Sequence, residues 1–290
     1  MNSSINPFAP GAGYQPPALV GRSELIDSVG VAIERVGNGL QAKSQLLIGL
    51  RGVGKTVLLD HLRVNAEDAG VETLRIEASE KKSLPSLLAP QLRQALLRLS
   101  RNEKAKDLAQ RALRGSAGFA KALKVKYGDI EVGLDLEPEA GLADNGDLEH
   151  DLQALLEAAG AAAASGDKVL AIFIDELQYV PEHELAALIV ALHRCAQRKC
   201  PELLVGAGLP QLRGRMGDAK SYAERLFEFP EIGPLKEEDA KAAIALPVKE
   251  QGAAIEPGAL DRIHAGTKGP LLRTRVGQAF VGCGTGITDP

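Results

Sequence analysis

Three cysteines in 290 residues form an odd, sparse set. Cys195 and Cys200 have neither the second pair nor the histidine spacing that a zinc site needs, so they and Cys283 read as ordinary reduced thiols. Long apolar runs are missing too. None reaches the roughly 20 residues needed to cross a bilayer, and Met1 to Pro17 lacks the basic and apolar regions of a secretory leader. A cytoplasmic protein with no membrane segment is the expectation. The five histidines, His61, His150, His183, His193 and His264, do not cluster with acids or cysteines at metal-ligand spacing. No G-x-S-x-G nucleophile elbow occurs, so a second active site is not expected. There is no basic excess either: the net charge of −4 gives the molecule no general pull on nucleic acid.

What is present is a hydrophobic content of 45%, enough to bury one large domain and a small one. Charge is unevenly spread. Ten Lys/Arg lie between Arg93 and Lys126, and ten Asp/Glu, with no Lys or Arg, lie between Tyr127 and Glu157. Two readings stand: solvated faces that partly neutralise each other, or a docking surface for a neighbouring subunit or a nucleic-acid backbone.

Met1 to Pro17, rich in Pro, Gly, Ser and Asn, is expected to be a loose arm. From Ser23 to Val36, Leu25, Ile26, Val29, Ile33 and Val36 recur at helical intervals, with Ser23 as the predicted N-cap. Short apolar runs then alternate with helical patterns: Gln45 to Leu50, Glu72 to Ile76, Val169 to Ile174, Leu203 to Val205 and Leu226 to Phe229. Such alternation predicts a parallel sheet covered on both faces. The excursion 93–157 interrupts it. Within that excursion, residues 122–136 predict a hairpin turning at Gly128-Asp129. Helical patterns return from Lys236 to Leu246 and from Pro257 to Ala265, separated by Pro247 and Gly252. The domains expected are an arm (1–17), a nucleotide-binding domain (18–230) and a small helical lid with an atypical tail (231–290).

Gly49-Leu-Arg-Gly-Val-Gly-Lys-Thr56 satisfies G-x-x-x-x-G-K-S/T and lies between an apolar strand and the helical run Val57 to Val64. Gly49, Gly52 and Gly54 let the backbone wrap a triphosphate, with Arg51, Val53 and Val57 completing the lining. N–H groups and a helix N-terminus would meet the negative charge, Lys55 would reach the β and γ phosphates, and Thr56 would ligate Mg²⁺. The second half is Val169-Leu-Ala-Ile-Phe-Ile-Asp-Glu176. Two acids at the end of a buried strand need a counter-charge. The Mg²⁺ held by Thr56 would provide one, with Asp175 contacting it through water and Glu176 polarising the attacking water.

With Pro17-Ala-Leu-Val-Gly-Arg22 and Tyr222-Ala-Glu-Arg-Leu-Phe-Glu-Phe229, these motifs resemble the AAA+ P-loop ATPases of the origin-recognition/Cdc-like and archaeal-type group, from about Pro17 to Gly269. The resemblance implies an α/β three-layer αβα sandwich with a five-stranded parallel sheet in the order 5-1-4-3-2. It also implies an adenine pocket at Leu19, Val20, Gly21 and Arg22, a small, incomplete helical lid, and Arg225 as an arginine finger acting on a neighbour's ATP in a homo-oligomer. The alternative for Arg225 is a surface arginine paired with Glu224 or Glu228.

Two departures stand out. Leu203-Leu-Val-Gly-Ala-Gly-Leu209 offers no Asn, Ser or Thr where such proteins place a polar sensor, so hydrolysis is expected to be slow. Gln178 and Gln211 lie nearby in sequence as candidate substitutes, but neither has the expected spacing, and surface roles are expected for both. Leu271 to Pro290 is Gly-rich where relatives carry an aromatic amphipathic helix. Codons can be chosen for Leu271 to Cys283 whose neighbouring frame spells Tyr-Phe-Val-Gln-Glu-Trp-Gly-Lys-His-Leu-Trp-Asp-Val. A shifted reading frame and an ordinary divergent or truncated terminus both stay open, and Arg273 and Arg275 are not assigned as sensors.

Three functions are carried forward. The first is an ATPase that slowly hydrolyses MgATP to switch or remodel an unknown macromolecular partner. The second is a nucleic-acid-binding module licensed by ATP, although the chain stops short of the winged-helix domain that such initiators carry. The third is a signalling scaffold that presents its charged excursion to another protein.

Overall fold

The computed structural model describes residues 19–127, 137–267 and 287–288. Five parallel strands, β1 (Ser44–Ile48), β2 (Glu72–Glu77), β3 (Leu170–Asp175), β4 (Glu202–Gly208) and β5 (Phe227–Glu228), form one sheet in the order β2-β3-β4-β1-β5. Read from the other edge, this is the 5-1-4-3-2 order expected for a P-loop NTPase.

Strand alternation builds two cores. Leu46 and Ile48 of β1, Ile172 and Ile174 of β3 and Leu204 of β4 enter one buried cluster. Their sequence neighbours Leu47, Ala171, Phe173, Leu203, Val205 and Ala207 enter the other. Successive side chains of a strand point to opposite faces, so near-continuous apolar strands must be covered twice. Helices α1 (Ser23–Gly37) and α2 (Lys55–Asp68) cover one face. The other is covered by α3 (Leu84–Leu99), α4 (Lys106–Tyr127), α5 (Leu148–Ser165) and α6 (Glu182–Gln197). The start of α3 is fixed twice: Ser83 Oγ accepts from Ser86 N–H at 3.3 Å, and the buried Glu184 of α6 accepts from Leu84 N–H at 2.6 Å. Two short helices, α7 (Leu212–Ala219) and α8 (Ala223–Leu226), lead into β5.

Beyond β5, α9 (Glu237–Glu250) and α10 (Pro257–Thr267) pack around Ile244 and Ile263, and β6 (Ala254–Ile255) pairs antiparallel with β7 (Ile287–Thr288). The break expected at Pro247 is absent, and α9 runs through it to Glu250. Pro247 and Val248 are both buried there, so packing outweighs the hydrogen bond that proline cannot donate.

Other expectations also change. Ser23 is the first residue of α1, which follows Arg22 with no side-chain cap. Residues 122–127 continue α4 and are not the first arm of a hairpin. The apolar residues Ala109, Ala112, Leu113, Phe119, Ala120 and Leu123, all buried, recur at helical spacing and hold that helix on the core. The remainder of the expected hairpin, 128–136, lies outside the described residues, as do the arm up to residue 18 and the tail 268–286.

The charge asymmetry is partly neutralised within the chain. Glu139 takes Arg114 at 2.8 Å and Arg111 at 3.4 Å, Glu157 takes Arg198 at 3.0 Å, and Glu149 takes Lys220 at 3.0 Å. Among the described residues no helix is long and apolar enough to cross a membrane.

Candidate functional site

The chain leaves β1 at Ile48 and turns sharply. A Cβ on Gly49 would lie 2.3 Å from the Ile232 carbonyl oxygen, so only glycine fits between β1 and the strand-like segment after β5. Gly52 and Gly54 follow with φ of +81° and +92°, and Gly54 is the residue from which α2 springs. The loop thus delivers the N-terminus of α2, with its unpaired N–H groups, to the end of the sheet where the strands finish.

Lys55 is buried at 6% exposure and folds back on its own loop. Its Nζ donates to the carbonyls of Gly49 at 2.9 Å and Leu50 at 2.8 Å. An ammonium has three protons, so one donor direction is left for a phosphate oxygen. Burial lowers the Lys55 pKa, and the nearby Glu176 and Asp175 carboxylates oppose that shift.

β3 supplies the acids. Asp175 is 6% exposed, accepts from Glu176 N–H at 2.8 Å, and lines one small pocket with Thr56, whose hydroxyl also favours its charged form. Burial pushes its carboxyl up, and these two donors hold it back. Glu77, its register partner on β2, adds a further raising charge. A hydroxyl and a carboxylate lining one pocket make an all-oxygen donor set, which fits a hard dication such as Mg²⁺ once phosphate oxygens and water complete the shell. No cluster of three or more His, Cys, Asp or Glu arranged to bind a metal alone occurs among the described residues.

Glu176 sits at φ +55°, in the left-handed region that non-glycine residues rarely occupy. A 3-10 turn, Leu177–Tyr179, follows it. That turn is tied to its surroundings: Arg51 donates to the Tyr179 hydroxyl at 2.9 Å from the glycine-rich loop, and Arg215 of α7 donates to the carbonyls of Gln178 and Val180, the latter at 2.8 Å.

Gln178 does not have the surface role expected for it. It is buried at 8% exposure, donates to Glu176 Oε2 through Nε2 and accepts Leu209 N–H at 3.2 Å through Oε1. Gln211 is exposed. The sequence did carry a signal for Gln178: Gly206 and Gly208 leave β4 without side chains where another residue must fill the space. A Cβ on Gly208 would lie 3.1 Å from Gln178 Oε1 and 2.6 Å from Leu212 Cδ2.

The Leu19 to Arg22 segment lies between the loop and the small helical unit. Leu19 and Val53 pack on the same apolar cluster, which contains Ile232. Gly21 has φ +73° and lies so close to α9 that a Cβ would be 2.6 Å from Asp239 Oδ2. Arg22 donates to the Gly233 carbonyl. Sequence reading missed Asp239, Glu77 and Arg215, because nothing in their local pattern sets them apart from solvated charges.

Arg225 is not with these groups. It borders a cavity of about 310 Å³ with Ser44, Glu202 and Phe227, which lie where β1, β4 and β5 begin, at the sheet end opposite the glycine-rich loop. Arg225 is exposed, and Glu224, one partner expected for it, pairs with Arg213 at 3.8 Å.

The Orc1 protein of Aeropyrum pernix, solved in complex with DNA, is similar at 15% identity and a TM-score of 0.47, over 91% of this chain and 59% of that one. A RuvB variant of Thermotoga maritima is similar at 16% identity and a TM-score of 0.46, over 89% of this chain and 61% of that one. For Cdc6p of Pyrobaculum aerophilum the values are 16% and 0.45, over 91% and 58%. The chain spans about three fifths of the length of these three proteins. No curated protein matches the sequence. The pattern of the family described as AAA ATPase domain matches residues 18–205, a span that holds both the glycine-rich loop and the acids closing β3. The chain belongs to the AAA ATPase domain family.

Proposed function

We propose that this protein binds MgATP and hydrolyses it slowly to ADP and phosphate, using the cycle to switch or remodel a macromolecular partner. The observation that carries the reading is that Thr56, at the start of α2, and Asp175, at the end of β3, line one pocket, with the buried Lys55 next to Thr56 in the chain.

In this reading the N–H groups of Gly52 to Thr56 hold the phosphate oxygens, and Lys55 places its free donor direction between the β and γ phosphates. Thr56 and, through water, Asp175 would hold Mg²⁺, which neutralises charge on the phosphate oxygens when bound. Glu176 accepts a proton from the attacking water as its oxygen bonds to the γ phosphorus, while the β–γ bridging bond breaks and ADP leaves. Leu19 to Arg22, pressed against Asp239 of α9, would enclose the base. Arg225 would act on a neighbouring subunit's nucleotide, a role supported by its exposure at the sheet end away from its own glycine-rich loop.

Arg98, Lys104, Arg111 and Arg114 of the basic stretch are engaged in ion pairs. Lys55→Ala is expected to abolish nucleotide binding, and Glu176→Gln to keep binding while turnover falls about 100-fold or more. Equal loss of binding in both variants would overturn these roles.

A further inference from the structure

Gln178 is a buried amide whose oxygen and nitrogen are both engaged. The Leu209 N–H can only donate, so it fixes Oε1 toward β4 and turns the amide N–H₂ toward Glu176. The backbone is held as firmly, because Arg215 donates to the carbonyl of Gln178 itself and to that of Val180. Gly206 and Gly208 admit the turn: a Cβ at Gly206 would lie 2.3 Å from Leu177 Cδ1. β4 therefore contributes no side chain between the ends of β3 and β4, and the Gln178 amide occupies that position. Among the described residues no hydrogen bond engages Glu176 Oε1. One carboxylate oxygen is thus held by Gln178, and the other is left for a water.

We infer that Gln178 is the positioning residue for hydrolysis, aiming the Glu176 carboxylate at the attacking water and tying that aim to the end of β4 through Leu209. The inference rests on the ATPase reading above and deepens it. A carboxylate on a mobile side chain visits several rotamers, and an amide clamped at both ends removes that freedom before substrate arrives. The same link makes the state of the triphosphate site felt at Leu209 and, through Arg215, at α7.

The test is the turnover of Gln178→Glu and Gln178→Ala alongside the wild type, with MgATP affinity measured separately. Gln178→Glu keeps an oxygen for Leu209 N–H and replaces the donor to Glu176 with a second carboxylate that repels it, whereas Gln178→Ala removes the amide altogether, so the two variants together separate the aiming role from support of the fold. Both variants are expected to lose about 10- to 100-fold in kcat with MgATP Kd changed by less than about threefold. In a Glu176→Gln background, adding Gln178→Glu should change the residual single-turnover rate less than about twofold, because a residue acting through Glu176 has nothing left to act on. A wild-type kcat in Gln178→Glu, a parallel loss of MgATP binding, or a full additive loss in the double variant would each overturn the inference while leaving the ATPase reading standing. A wild-type protein that binds MgATP without turning it over would overturn both.

Discussion

Thr56, in the first turn of α2, and Asp175, the last residue of β3, line the same small pocket. They lie 119 positions apart, and α3, α4 and α5 fall between them. The pair is the point at which two separate sequence motifs become one site.

Asp175→Asn keeps the shape of the carboxylate and removes its charge. Affinity for ATP in the presence of Mg²⁺ is expected to fall about tenfold or more, toward the value without the metal, while Mg²⁺-free binding changes little. Fluorescent-nucleotide titration with and without Mg²⁺ reads this directly. A Mg²⁺ dependence unchanged in Asp175→Asn would remove Asp175 from the site.

Glu202 opens β4 at the other end of the sheet. Among the described residues neither of its oxygens meets an N–H or O–H donor, and its neighbours include the weakly donating Cys195 thiol. Burial pushes its carboxyl well above 4.5, so the folded state favours the proton. The sign follows: the stability linked to this group is fully present below the unfolded pKa and is lost as pH rises through the folded one. Glu202→Gln should therefore be close to wild type near pH 4 and more stable by about 1–3 kcal/mol at neutral pH. Asp175 and Glu184 are raised in the same sense, so the difference between variant and wild type is the quantity to follow by denaturant unfolding. A difference that shrinks with rising pH would contradict the buried carboxyl.

Arg225→Ala should leave MgATP affinity per subunit within about twofold and lower turnover only at concentrations where subunits associate. Turnover measured against protein concentration, with sizing in ATP and ADP, separates the cases. A loss of turnover that is independent of concentration would place Arg225 in its own subunit's chemistry.

Much of the sheet was legible because buried parallel strands are short apolar runs whichever face they cover. The hairpin was misread at residues 122–127 because a few alternating apolar residues mimic a strand, whereas the spacing that governs α4 begins far upstream, at Ala109. Gln178 was misread for a different reason. Its burial depends on Gly206, Gly208 and Leu212, about 30 residues away and brought alongside only by strand pairing.

The sequence by itself determined the loop chemistry: glycines where the backbone must turn left-handed or pass a carbonyl at close range, a lysine and a threonine behind them, and two acids closing an apolar strand. These are local requirements of backbone sterics and charge, and they can be read from neighbouring residues. Only the tertiary structure decided which groups meet. The meeting of Thr56 and Asp175 in one pocket, the clamp of Gln178 between Glu176 and Leu209, and the separation of Arg225 from all of them follow from strand order and crossover connections. Those depend on how the two apolar faces of the sheet are covered, and no local pattern encodes them.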